Sequence, residues 1–461
     1  MDDQTHDVVV LGGGAGGVPA AVRASQLGGK VALVECAYLG GQCMNRGCIP
    51  FGHMMAAVQA HRELLLGRTL GLEVPEIHLH YPALLKRHED LVGFMRQGIQ
   101  STLKKNRVES IEGRGKIIGK GAIEVNGKTL RAGRIILATG ASWQQPVFQG
   151  AELPEVVNPD FLLTAEELPK RILLFGESPW LVEIAQFLGR FGSGVILATP
   201  RKRILPEESK TIVTRLSKVL RESGIQIRNG VTLEEARMEK DGLRVCLTGR
   251  EPLEERGIDA VLTLERAAEL KGIGLPNLHL DEDAPFLAVN EKTETAAEDV
   301  FAVGDMTASS RHHYSHRAAA MGIAAGENAM GKPSSVNHRT IPRVLFTRPE
   351  VASVGLTPRE ARERGYEIGV GAAPLSMNPL GMIRGEEEGM IEIVADRKYG
   401  EILGIHIIAA TASEMIGQAL MAIQLELTLH ELAATPFPHP TLSESMAEAA
   451  RDALGRAIYL P

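Results

Sequence analysis

The sequence predicts an α/β fold with two nucleotide-binding units followed by a smaller α+β lobe. Three observations carry this. A buried strand, Asp7-Val-Val-Val-Leu11, runs straight into the glycine turn Gly12-x-Gly14-x-x-Gly17. A second strand–helix–strand pattern opens at Arg171-Ile-Leu-Leu-Phe175. From about residue 338 the pattern changes to strands followed by two helices. At 461 residues the chain is too long for one core and divides into three or four lobes.

In order along the chain, the strand at 7–11, the glycine turn, a helix to about Gln26 and the strand Lys30-Val-Ala-Leu-Val-Glu35 form a Rossmann-like βαβ unit. Five glycines between positions 12 and 17, interrupted only by Ala15, exceed what a plain βα turn needs. Gly12 permits the tight turn, Gly14 lets backbone approach a pyrophosphate, and Gly17 lets helix and strand pack closely. The helix start offers unpaired N–H groups to phosphate, and Glu35 is placed to bind an adenosine ribose. Helical spacing follows at 53–66 and 81–106, then short strands over about 108–138, with Ile135-Ile-Leu-Ala-Thr-Gly140 a strand ending in a turn. Residues 146–159 read as a linker. The second unit runs through a helix at 180–191 to the strand Gly194-Val-Ile-Leu-Ala198. Val300-Phe-Ala-Val303 is a further strand, ending in Gly304-Asp305. Strands at 390–394 and 401–408 and helices at 411–426 and 443–457 complete the pattern.

Composition sets bounds. Abundant glycine with 4% aromatic and 44% hydrophobic residues suits a large α/β protein. A net charge of −7 argues against a nucleic-acid partner, because neutralising phosphates takes a basic face. Four cysteines are too few for a secreted disulfide framework, so any pair is expected to be catalytic. The start, Met1-Asp-Asp-Gln-Thr-His-Asp7, lacks signal-peptide character and no long uncharged apolar run follows, so the expectation is a cytoplasmic protein with no membrane partner.

The chemistry concentrates in Gly40-Gly-Gln-Cys-Met-Asn-Arg-Gly-Cys-Ile-Pro50. Four residues separate Cys43 from Cys48, and one helical turn brings such thiols within disulfide reach. Thiolate is the nucleophile, so a base or cation is needed at neutral pH. His439-Pro-Thr-Leu-Ser-Glu444 supplies a candidate imidazole with a carboxylate to orient it. Arg46 is a second source of positive charge, or simply a solvated side chain. Cys36 and Cys246 read as small buried residues, and the methionines between 377 and 390 as packing. His312, His313 and His316 do not form a metal site.

In this order, the motifs resemble the flavin-dependent pyridine nucleotide-disulfide oxidoreductases, and within them the dihydrolipoamide dehydrogenases most closely. The carriers are the first glycine fingerprint, the 40–50 segment, Ala138-Thr-Gly140, Val303-Gly-Asp305, Thr347-Arg-Pro-Glu-Val-Ala-Ser-Val-Gly355 and the 439–444 run. The resemblance implies an FAD domain at 1–145 continued at 272–337, an NAD(P)-type domain at 146–271 and a dimerisation domain at 338–461. It implies Cys43 as the interchange thiol and Cys48 as the flavin-adjacent thiol that forms a charge-transfer complex when reduced. Asp305 would hydrogen-bond the ribityl chain of FAD, with Gly41, Gln42, Ala138, Thr139, Gly140 and Gly304 also lining its site. His439 and Glu444 would act across a homodimer. The implied substrate is a dithiol such as dihydrolipoamide, free or protein-bound. Mercuric reductases and high-molecular-weight thioredoxin reductases fit less well, since no cysteine follows Cys246.

The chain also departs from that pattern. In Gly176-Glu-Ser-Pro-Trp-Leu181 only the first fingerprint glycine survives, and Ser178 and Leu181 add bulk at the other two positions. Thr199 replaces the ribose-binding acid, and Leu264-Glu-Arg-Ala-Ala-Glu269 replaces a Gly-Arg-x-Pro-Asn turn. The expectation is weak or absent binding of NAD or NADP, although Arg201, Lys202 and Arg203 favour NADP if either binds. An electron-transfer protein is then the alternative partner. Gly52 stands at a usual Lys position while its Glu partner is kept as Glu183, leaving a carboxylate unpaired unless His53 substitutes.

Overall fold

The computed structural model describes residues 4–308 and 313–460. Its first sheet has seven strands in the order Glu109–Glu112, Val31–Glu35, Gln4–Leu11, Lys128–Leu137, Ala122–Val125, Lys116–Gly119, with Val300–Ala302 also on Lys128–Leu137. The strands around the glycine turn are parallel, so their C-terminal ends open on one edge. Helix Gly17–Gln26 covers one face and packs on helix Ser315–Ala329 through small residues. A Cβ at Gly322 would fall 2.1 Å from the Gly16 carbonyl oxygen, so the two backbones nearly touch. That contact brings the start of the second helix to the glycine turn.

The second sheet is fully parallel, in the order Gln226–Asn229, Gly194–Thr199, Arg171–Phe175, Ala260–Thr263, Val156–Val157. An antiparallel meander, Thr232–Glu239, Gly242–Thr248 and Leu253–Ile258, hangs beside it. Its outer faces carry ion pairs such as Arg244–Glu254 at 2.7 Å and Arg256–Glu239 at 2.9 Å, which masks the strand alternation in the sequence. Helix Pro179–Arg190 is almost wholly buried. Leu181, Ile184, Phe187 and Leu188 share one apolar cluster with Phe51, Met54, Met55 and Val58 of helix Cys48–Thr69. The helix that would carry a dinucleotide is thus packed against the helix that begins at Cys48.

The C-terminal lobe is an antiparallel sheet in the order Arg343–Leu345, Glu350–Gly355, Ile402–Ala409, Met390–Asp396, Ile368–Pro374. Helices Ala412–Gln424 and Glu444–Ala453 cover it. The buried pair Arg343–Glu208, at 2.6 Å, ties this lobe to the second unit. Among the described residues no helix is long and apolar enough to cross a membrane.

Candidate active site

The glycine turn forms as its sequence requires. Gly12 has φ +107°, and a Cβ there would lie 2.3 Å from the Ala138 carbonyl oxygen. A Cβ on Gly17 would lie 1.8 Å from the Gly12 oxygen. Gly14 faces open space apart from Gly41, whose Cα would sit 3.6 Å from an added Cβ. The Glu35 carboxylate is held by the backbone N–H groups of Gly13 (2.6 Å) and Ala37 (2.8 Å), each of its oxygens keeping a free lone pair.

These groups line a cavity of about 440 Å³ that reaches from Glu35 and Arg114 past Gly41, Gln42 and Cys43 to Ala138, Thr139, Gly140, Gly304 and Asp305. Gln42 Nε2 and Arg266 Nε, both in its wall, are buried donors with no partner among the described residues. A long cleft with a glycine cradle, a fixed carboxylate and orphan donors fits FAD. Thr139 Oγ1 donates to the Glu269 carbonyl at 2.8 Å. Asp305 is less free than the resemblance implied. One of its oxygens accepts from Arg266 at 2.7 Å, and the Arg266 side chain is itself only 5% exposed. Arg266 lies in the segment that departs from the family turn.

Helix Gly41–Arg46 presents Cys43, and the next helix begins at Cys48. Both are free thiols in hydrogen-bond contact. Cys48 donates to Cys43, lowering the Cys43 pKa to about 7, while the same bond and burial push Cys48 well up. Cys43 forms part of the cavity wall; Cys48 does not. Ser315, at the first position of its helix and unmarked in the sequence, places Oγ 3.2 Å from Cys48 Sγ. Arg46 is turned to Asp160 at 3.1 Å and contributes little to either thiol. At the far end of the chain, His439 Nδ1 meets Glu444 Oε2 at 3.0 Å, and the imidazole is 67% exposed.

The second nucleotide turn is crowded. Pro179 opens helix Pro179–Arg190 without an N–H, and Leu181 closes on Gly176. The chain's two tryptophans meet here, Trp143 and Trp180 with ring centroids 6.1 Å apart. The Arg266 guanidinium lies 5.5 Å and 5.8 Å from their centroids. Trp180 also abuts Gly47, where a Cβ would come within 2.7 Å of it. Arg201 is paired with Glu177 at 2.7 Å, and Arg203 donates to the carbonyls of Pro206 and Glu208, so of the basic trio only Lys202 is fully exposed.

Glu183 is buried and accepts from the Phe346 N–H at 2.9 Å, with no ion pair to it among the described residues. Desolvation raises its pKa from 4.5 to about 7. Nothing lies within 4 Å of where a Cβ on Gly52 would be. His53 does not substitute: its ring faces His88, with centroids 6.4 Å apart. One helical residue is ~100° of rotation, which carries His53 off the Gly52 face. Glu183 keeps its proton when folded across a pH interval in which the unfolded chain has released it. Its cost is therefore absent below pH ~4.5, grows as pH rises and is complete above ~7, amounting to roughly 3 kcal/mol. Glu183→Gln is expected to remove that decline, as read from denaturant unfolding of the FAD-loaded protein at fixed FAD across this range.

Other expectations need correction. Cys36 is exposed just past the end of strand Val31–Glu35, and Cys246 is half-buried because it sits on the outer face of Gly242–Thr248 with Arg244, against Glu235 rather than the core. Of the methionines, Met390 is buried but Met377 and Met382 are 41% and 60% exposed. His313 and His316 each contact a backbone carbonyl, of Ala308 and Pro342, while His312 lies outside the described residues.

Comparison with known proteins agrees with this geometry. Residues 6–326 match the pyridine nucleotide-disulphide oxidoreductase family, and 341–450 match its dimerisation domain. Dihydrolipoyl dehydrogenase of Thermus scotoductus is 35% identical, covering 99% of both chains. The enzyme of the same name from Bacillus subtilis is 33% identical over 98% of this chain and 99% of its own. LpdA of Mycobacterium tuberculosis superposes with TM-score 0.87 at 26% identity, over 97% of this chain and 99% of that one. The flavoprotein disulfide reductase RclA of Escherichia coli, as its Cu(II) complex, gives 0.85 at 24% identity over 98% and 99%. Glycine cradle, adjacent thiols and end-to-end likeness converge: the chain belongs to the pyridine nucleotide-disulphide oxidoreductase family and is a flavin-dependent, dihydrolipoyl dehydrogenase-like disulfide oxidoreductase.

Proposed function

We propose that this enzyme oxidises a dihydrolipoamide-type dithiol through Cys43 and Cys48, working as a homodimer in the cytoplasm. The observation that carries it is the placement of Cys43, hydrogen-bonded to Cys48, in the wall of the cavity formed by the glycine cradle. FAD, when bound there, supplies the two-electron acceptor for the reduced pair. A substrate thiolate attacks Cys43 of the oxidised pair, forming a mixed disulfide and releasing Cys48 as thiolate. The second substrate thiol then closes the substrate disulfide and releases Cys43. Two electrons reach the cysteines, and the substrate's protons pass to His439 of the partner subunit and to the cysteine pair. Gly12, Gly14, Gly17, Glu35, Gly41, Gln42, Ala138, Thr139, Gly140, Gly304 and Asp305 hold the cofactor, and Glu444 orients the imidazole.

A second reading concerns where the electrons go. Trp180 against Gly47, Pro179 at the helix start and the Glu177–Arg201 pair all occupy the approach a nicotinamide dinucleotide would use. They favour an electron-transfer protein over NAD(P). Anaerobic titration of the FAD-loaded enzyme with dihydrolipoamide, NADH and NADPH separates the two. Flavin bleaching by the dithiol with little response to either nicotinamide is expected. Micromolar binding and rapid bleaching by NADH or NADPH would restore an ordinary nicotinamide acceptor, and no bleaching by dithiol would end the main proposal.

A further inference from the structure

Taking Cys43 and Cys48 as the redox pair proposed above, we infer that Ser315 is a positioning residue whose hydroxyl donates to the thiolate of the reduced pair and so favours the dithiol state over the disulfide. Ser315 Oγ lies 3.2 Å from Cys48 Sγ, and its hydrogen bonding reaches Cys43 as well. While both sulfurs are protonated, either side can donate. Once a sulfur is ionised it has no proton left, and only the hydroxyl can donate.

Two-electron reduction of a disulfide gives two sulfur anions, one of which takes a proton from the substrate side. The electrons come from the substrate dithiol, which leaves as its disulfide. Ser315 transfers nothing and keeps its proton throughout. Disulfide sulfur, like thioether sulfur, is a weak acceptor, whereas thiolate is a strong one, so the bond stabilises the reduced state selectively. The location strengthens this: Ser315 is the first residue of the 15-residue helix Ser315–Ala329, whose start carries unpaired N–H groups and the positive end of the dipole.

The charged groups acting on the pair are otherwise unfavourable to thiolate. Asp305 acts on Cys43 and Glu183 on Cys48, both opposing ionisation. Arg46 and Arg266 are engaged by Asp160 and Asp305. Among the described residues of one subunit, the Ser315 hydroxyl is the side-chain donor, other than the cysteines themselves, that hydrogen-bonds the pair and favours a negative sulfur. A serine opening a helix ordinarily reads as a cap, yet no capping bond is made by the residue before it, and the Ser315 side chain turns to sulfur instead.

The test compares wild type, Ser315→Ala and Ser315→Thr as FAD-loaded enzymes under anaerobic conditions. Two quantities are read: the pH midpoint of Cys43 alkylation by iodoacetamide, followed by mass spectrometry, and the dithiol-to-disulfide ratio at which half the pair is oxidised. Ser315→Ala is expected to raise the midpoint by about one pH unit and to require a couple roughly tenfold more reducing, and Ser315→Thr to restore both. A merely structural role would leave both unmoved or shift Thr and Ala alike, and either result overturns the inference. If wild type shows no reversible dithiol–disulfide cycle, the redox pair itself is wrong and the inference falls with it. A wild type that cycles beside an unchanged Ser315→Ala overturns the role of Ser315 alone.

Discussion

Cys43→Ser and Cys48→Ser are each expected to lower dithiol turnover by roughly 10⁴-fold or more, in line with removal of a nucleophile from an enzyme that works through a covalent intermediate. A serine hydroxyl is not ionised at neutral pH and forms no mixed disulfide. The two variants should nevertheless fail differently. The Cys43 pKa is lowered to about 7 mainly because Cys48 donates to it. In Cys48→Ser the new hydroxyl remains a donor at that position, so Cys43 stays reactive and forms a mixed disulfide with a linear disulfide such as DTNB, releasing one thionitrobenzoate, and the serine cannot resolve it. In Cys43→Ser the remaining thiol is the one pushed well up by burial and its former partner, and it should label slowly. Peptide mapping after incubation with DTNB checks this: an adduct at Cys43 in Cys48→Ser, little at Cys48 in Cys43→Ser, and stopped-flow flavin reduction by dihydrolipoamide abolished in both. Turnover within tenfold of wild type in either variant would remove the cysteine pair from the mechanism.

What could be read from sequence and what could not divides along chain separation. The first nucleotide turn was legible because strand, glycines, helix and Glu35 are contiguous, and each residue's role follows from local backbone geometry. The thiols were legible because four residues of spacing put one on a six-residue helix and the other at the first position of the helix that follows. The same locality exposed the weak second fingerprint, since Ser178 and Leu181 add bulk wherever they fold. Ser315 was invisible: 267 residues separate it from Cys48, and only the packing of Gly322 on Gly16 brings its helix to the site. Arg266 was passed over for a related reason. Its segment was recognised as irregular, but its pairing with Asp305 depends on the short antiparallel pair Ala141–Trp143 and Arg266–Ala268 that joins the two units. His53 failed on helical phase, a purely local effect that sequence reasoning can catch when rotation per residue is applied strictly. The meander between 232 and 258 was missed because its outward charges pair across strands and hide the period of two.

His439→Gln is expected to slow dithiol oxidation by roughly 10²–10⁴-fold, the range for loss of a positioned general base. Glutamine fills similar space but takes no proton. Glu444→Gln should cost less, about tenfold, because Thr441 and Asn378 also contact that carboxyl group and keep its position, while orientation of the ring is weakened. The imidazole is 67% exposed in a single chain, and its ring is tied to Glu444 through Nδ1, which leaves Nε2 as the atom available to an incoming thiol. An exposed base within a family dimerisation domain calls for a partner surface, and subunit mixing tests that requirement directly. Each homodimer, Cys43→Ser or His439→Gln, lacks an essential group at both sites. A heterodimer of the two contains one site with Cys43 from one subunit and the partner's His439, both intact, and one site lacking both. Acting across the interface, the pair should recover about half of wild-type activity per heterodimer, the share expected for one of two equivalent, independent sites. If the base served the thiols of its own chain, the heterodimer would stay as inactive as its parents.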